Sequence, residues 1–147
     1  MTRVELPFAP VDAVIRDSVG DLRVSADASE ELASRIQSHG ADVAARAAER
    51  ARGRNRKTLR PRDFDFSVEV VPKDDLLLPV APVDRIARLD VDDVRVSDEA
   101  RRALTAYLEE WASNSAWAAG RLARHAGRRT VLAEDFETYF EVFDRVG

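Results

Sequence analysis

The chain has 147 residues, 23 Lys and Arg against 27 Asp and Glu, a formal net charge of −4, two histidines and no cysteine. A cysteine-free chain has no disulfide framework and no thiolate metal site, and His39 and His125 alone cannot furnish a usual zinc set. No apolar run approaches the roughly 18–20 residues that span a bilayer, and the first residues lack the basic-then-apolar order of a secretory signal; the expectation is an intracellular protein.

Charge is unevenly spread. Arg46 to Arg62 holds eight basic residues and one acid, Glu49, while acids gather at Asp74-Asp75, Asp90, Asp92-Asp93, Asp98-Glu99 and Glu109-Glu110. Net acidity alone argues against a nucleic-acid partner, so the distribution has to decide. Only two of the 23 basic residues are lysine. Arginine with abundant aspartate suits a high-salt cytoplasm, and a GC-rich genome gives the same arginine bias; both readings stay open.

Taken in order, residues 1–5 read as a disordered tail. Pro7 and Pro10 open a short helix, because proline fits a first turn where its missing N–H is not needed. Val11, Val14 and Ile15 form its apolar stripe, and Gly20 ends it. Ser25 is an N-cap with Asp27 behind it, and a long helix follows to about Arg52, with Ala28, Leu32, Ile36, Val43 and Ala47 at helical spacing. Thr58-Leu59 is short and extended. Pro61 is then expected to open a third helix carrying Phe64, Val68 and Val71. Residues 72–77, beginning Pro72-Lys73-Asp74-Asp75, are the one plausible linker.

The same order then returns. Leu6-Pro7-Phe8-Ala9-Pro10-Val11-Asp12 recurs as Leu78-Pro79-Val80-Ala81-Pro82-Val83-Asp84, Arg23-Val24-Ser25 as Arg95-Val96-Ser97, Arg56-Lys57-Thr58 as Arg128-Arg129-Thr130, and Asp63-Phe64 as Asp135-Phe136. Every pair is offset by 72, positions 5–64 lie over 77–136 without a gap, and about a third of the pairs are identical. The chain therefore reads as an all-α protein built twice: a first unit over 1–71, the linker, and a second unit over 78–147. The second unit repeats a short helix near 79–89, a long helix from the Ser97 cap to about Arg124 and a last helix near 132–144. A helix of about 40 Å cannot bury its stripe within a unit of some 70 residues, so the two long helices need each other. Trp111 falls on the apolar stripe of the second long helix. Trp117, which stands where the first unit has Ala45, is expected to pack against a terminal helix.

Short–long–short helices, with Arg-Val-Ser before the long helix and Arg-Lys-Thr after it, resemble the histone fold. Leu-Pro-x-Ala-Pro at the start, and Arg124-His125-Ala126-Gly127-Arg128-Arg129-Thr130 followed by Ala133-Glu134-Asp135, look like archaeal histones; two units in one chain look like the haloarchaeal doublet type. The resemblance covers nearly all of 5–143. It implies a handshake within one chain, a pseudo-dimer in which each unit's first loop lies beside the other's second.

The resemblance also implies roles. Arg23 and Arg95 match a minor-groove arginine. Lys57-Thr58 and Arg129-Thr130 match second-loop residues that hold phosphate, so each end would carry one gripping site. Arg16 and Arg88, and Arg85 whose counterpart is Ala13, match DNA-facing residues of the first helix. The free N–H groups after Pro7 and Pro79 could also meet phosphate. Arg56 with Asp63 and Arg128 with Asp135 match structural ion pairs. His125 and Asp135 match the pair that joins histone dimers; the first unit has Gly53 at the histidine position, so self-association is expected through the second unit and to be limited, to about two chains. For each of these residues the plain alternative is an ordinary surface or loop side chain.

No Gly-rich phosphate loop, metal motif or nucleophile beside a base is visible, so the chain is not read as an enzyme, and no cofactor, metal, membrane or small-molecule substrate is expected. The expected function is a histone, associated with the nucleoid, that bends or wraps double-stranded DNA without base readout, in chromatin organisation or transcription regulation. The alternative is a histone-fold protein-interaction module with little DNA binding.

Overall fold

A computed structural model describes residues 3–69 and 71–146. In chain order the elements are α1 (Phe8–Val19), β1 (Arg23–Val24), α2 (Ala26–Gly53), β2 (Thr58–Leu59), α3 (Val80–Ala87), β3 (Arg95–Val96), α4 (Asp98–His125), β4 (Thr130–Val131) and α5 (Ala133–Val146), with single 3₁₀ turns at Pro61–Asp63 and Lys73–Asp75. The long helices start where a hydroxyl can take an orphan amide. Ser25 Oγ accepts from the Ala28 N–H at 3.2 Å, and Ser97 Oγ from the Ala100 N–H at 3.1 Å. We expect Ser25→Ala and Ser97→Ala each to cost about 1 kcal/mol in urea denaturation.

The long helices end alike. Residues at matched positions, Asn55 (φ 59°) and Gly127 (φ 76°), take the left-handed conformation that reverses a helix end. The N–H groups of Arg56 and Arg128 then return to Ala51 O and Ala123 O, both at 2.9 Å. That turn leads the chain into β2 and β4.

The repeats are interleaved. β1 pairs in parallel with β4, and β2 with β3, so each first loop is stitched to the other repeat's second loop. Helix α1 packs chiefly on α4, α3 chiefly on α2, and α5 on both long helices. Gly120 of α4 permits the approach of α1, since a Cβ there would meet Val19 Cγ1 at 3.0 Å. One buried cluster draws on both repeats, from Val11, Ile15 and Ile36 to Leu104, Leu108 and Phe136. This is the handshake.

Three expectations are corrected. The first repeat has no third α-helix: after the 3₁₀ turn the chain runs on without helix, and from Phe64 to Glu69 its side chains alternate between more and less buried. Phe64-Asp65-Phe66-Ser67-Val68-Glu69 alternates apolar and polar with period two, the strand pattern, and Asp, Ser and Val are weak helix formers. Phe64 stacks on Phe66 (centroids 4.7 Å), which stacks on Tyr107 of α4 (4.1 Å). The tail is also more ordered than expected. Gln37 accepts from the Glu5 N–H at 2.7 Å and donates to Arg3 O at 2.7 Å, pinning residues 3–5 on α2; Met1 and Thr2 lie outside the described residues. Trp117 packs against no terminal helix: it is 61% exposed, with the Arg121 guanidinium 6.0 Å from its ring.

Candidate nucleic-acid interface

The parallel bridges decide which groups meet. Arg23 lies opposite Thr130, and its N–H donates to Arg129 O at 2.8 Å. Arg95 lies opposite Thr58, and its N–H donates to Lys57 O at 2.9 Å. Strands pair about 4.8 Å apart, so each bridge sets a first-loop arginine beside a second-loop hydroxyl and a second-loop cation. The two sites are Arg23–Arg129–Thr130 and Arg95–Lys57–Thr58, at matched places in the pseudo-symmetric molecule.

Availability separates these cations from the other arginines. Arg23, Lys57, Arg95 and Arg129 are all exposed. Among the described residues none of their side chains is in an ion pair or a hydrogen bond, whereas Arg56 and Arg128 are held inward. Arg56 Nη2 and Nη1 reach Asp63 Oδ1 and Oδ2 at 2.5 and 2.9 Å. Arg128 grips Asp135 in the same way at 2.6 and 2.8 Å. Each arginine also donates to the carbonyl of the loop threonine, Arg56 to Thr58 O and Arg128 to Thr130 O, both at 3.0 Å. The two pairs therefore brace the backbone that presents Thr58 and Thr130.

Asp63 is fully buried. Burial alone would raise its pKa. Hydrogen bonds from Arg56 and the Arg60 N–H, with the charges of Arg56 and Arg54, outweigh it and hold the carboxyl below the usual aspartate value. Its hydrogen bonds to Asp63 raise the Arg56 pKa in turn.

The first-helix arginines are exposed but engaged. Arg16 pairs with Asp12 at 2.6 Å, Arg88 with Asp84 at 3.1 Å and Arg85 with Glu5 at 2.9 Å. Exposed pairs of this kind are worth about 0–1 kcal/mol, so a phosphate can displace the carboxylate at small cost. Pro7 and Pro79 precede α1 and α3, and neither helix start has a side-chain cap.

The two sites are not identical. A depression of about 420 Å³ at the second is lined by Lys57, Arg88, Asp93 and Arg95, with Val91 and Val94; Asp93 puts a carboxylate among three cations. At the first, Asp21 is neutralised by Arg124, whose Nη2 donates to it at 2.7 Å and lowers its pKa. Arg124 was not singled out from the sequence. Its partner is 103 residues away, and only the match of Arg52 to Arg124 hinted at a shared role. His125 is exposed beyond the last turn of α4, and Asp135 is buried.

Comparison with known proteins now identifies the architecture. The model of the family described as histone-like transcription factor (CBF/NF-Y) and archaeal histone matches twice, over residues 4–68 and 76–138. The chain belongs to this histone family. The archaeal histone HAN1 of Thermococcus zilligii is 52% identical over 58 residues, which is 40% of this chain and 85% of that one. The crystal structure of the histone from Methanopyrus kandleri superposes with a TM-score of 0.67 at 22% identity, covering 91% of this chain and 92% of that one. A crystal structure of a Thermus thermophilus protein gives 0.72 at 18% identity, covering 97% and 99%. These two likenesses concern the fold. The chain thus carries two tandem histone folds packed as a handshake.

Proposed function

We propose that this histone-family chain binds double-stranded DNA, bending or wrapping it through phosphate and minor-groove contacts without reading bases. The observation that carries the reading is the set of four exposed, unpaired cations on two parallel bridges, each beside a threonine. The cation neutralises a phosphate and the hydroxyl donates a hydrogen bond to it. The adjacent arginine suits an inward-facing minor groove, where negative potential is concentrated. Arg16, Arg85 and Arg88 add contacts as their carboxylates exchange for phosphate.

The wider role is chromatin organisation or transcription regulation on the nucleoid, by a two-fold chain of the haloarchaeal doublet type. It is a binding role and not a catalytic one. Copies associate through the second repeat, with His125 and Asp135 in the contact.

The reading is tested with fluorescently end-labelled duplexes of unrelated sequence. Affinities within a few-fold of each other, with energy transfer between the duplex ends rising on binding, are expected. No binding at low salt by a protein with full helical circular dichroism would instead favour the protein-interaction module, and binding confined to one sequence would contradict readout by backbone and shape.

A further inference from the structure

The two ends of this pseudo-symmetric molecule can be compared at an offset of 72, and they are built differently. At the second-repeat end, Ala118, Leu122 and His125 lie on one side of α4 at i, i+4 and i+7. The first two are half-buried and His125 is exposed. On α5, which packs against α4, Val142 is 56% exposed. The matching positions on α2 are Arg46, Arg50 and Gly53. Arg46 and Arg50 reach Asp65 at 3.2 and 3.5 Å, and Arg50 also donates to Asp63 O at 2.9 Å. They clamp the non-helical segment that stands where the second repeat has α5.

The buried aspartates differ as well. A carboxylate offers about four acceptor sites. Asp63 receives four bonds, two from Arg56, one from Arg54 and one from the Arg60 N–H. Asp135 receives three, two from Arg128 and one from the Leu132 N–H. Its counterpart of Arg54 is Ala126, so one site is left for an outside donor.

We propose that the first-repeat end is a built-in stop: a second copy docks only at the second-repeat end, and assembly ends at two chains. The inference rests on the self-association reading above. A two-fold contact sets each patch against its own copy. At the second-repeat end Leu122 and Val142 then meet apolar partners and lose contact with water. At the first-repeat end Arg46 and Arg50 would meet Arg46 and Arg50, with their carboxylate and carbonyl partners already engaged; juxtaposed like charges disfavour that contact. No helix is present there to complete a matching face.

The test is sedimentation equilibrium without DNA, in molar salt, over a wide protein concentration series. The wild type is expected to pass from one chain to two and to reach a plateau. Leu122→Arg should stay at one chain with unchanged circular dichroism, and His125→Glu, an exposed position, serves where Leu122→Arg does not fold. Arg50→Glu should still reach two. Species larger than two chains in the wild type overturn the stop while leaving self-association intact. Loss of the two-chain species in Arg50→Glu overturns the assignment of ends. A wild type that stays at one chain throughout sinks self-association and the stop together.

Discussion

Replacing Asp63 by alanine is expected to cost about 3–5 kcal/mol, because it removes one partner of a buried ion pair and leaves the other without compensation. Asp63 is fully buried, and the Arg56 side chain is only 17% exposed. The same carboxylate also orders Arg54 and the Arg60 N–H. At roughly 2–4 °C per kcal/mol for a chain of this size, melting should fall by on the order of 10 °C. Asp135→Ala should cost less, since Arg128 is 29% exposed and Asp135 has no second inward arginine. Acid has the same target. The Asp63 pKa is depressed in the folded state, so its contribution is full above the ordinary aspartate value near 4 and is lost as pH falls through the lower folded value. Stability against urea, measured from pH 6 downward, should therefore decline below about pH 4, and Asp63→Asn should flatten that limb. A variant as stable as the wild type at pH 7 would contradict the bracing role.

Phe136→Ala should also cost about 3–5 kcal/mol, through the lost burial of a ring and the cavity left behind. Phe136 has no solvent exposure, and it holds α5 against both long helices. Its neighbour Phe140 stacks on Trp111 at 5.2 Å and carries the Arg35 guanidinium at 5.0 Å, while the outer residues Val142 and Phe143 are more than half exposed. The inner stripe is thus the anchor of the helix. Hydrogen exchange should show α5 losing protection first, before the β bridges. The matched Phe64→Ala should be milder, because Phe64 anchors a non-helical segment that is also tied by Asp65 to Arg46 and Arg50. Equal losses at the two positions would contradict the asymmetry between the repeats.

Much of this fold was legible because the sequence states it twice. The 72-residue offset aligns Ser25 with Ser97 and Arg56 with Arg128, and the long apolar stripes of α2 and α4 require a partner of equal length. The offset also misled. It encouraged a third helix in the first repeat by analogy with α5, and Phe64, Val68 and Val71 do fit a helical spacing. The period-two alternation from Phe64 to Glu69 was the competing signal, and the arginines of α2 fix the outcome by capturing Asp63 and Asp65. Trp117 was misjudged for a related reason: its match, Ala45, says nothing about what lies above it.

For the interface, residue types could be read but their availability could not. Arg16 and Arg88 have an acid four residues earlier, a pairing that helical spacing suggests. Arg85 pairs with Glu5 across 80 residues, and Asp21 with Arg124 across 103; only folding brings these together. That Arg23, Lys57, Arg95 and Arg129 stay unpaired is likewise visible only once every acid has been placed.

The most direct test of the DNA-binding account is duplex affinity by fluorescence anisotropy across a salt series, for the wild type and for Arg23→Ala/Arg95→Ala. Each phosphate neutralised contributes about −0.9 to the slope of log affinity against log salt. The account predicts salt-sensitive binding by the wild type, and in the double variant weaker binding with a slope shallower by about 1.8. Equal affinity and slope in the two proteins, both fully helical, would contradict the placement of these arginines on DNA.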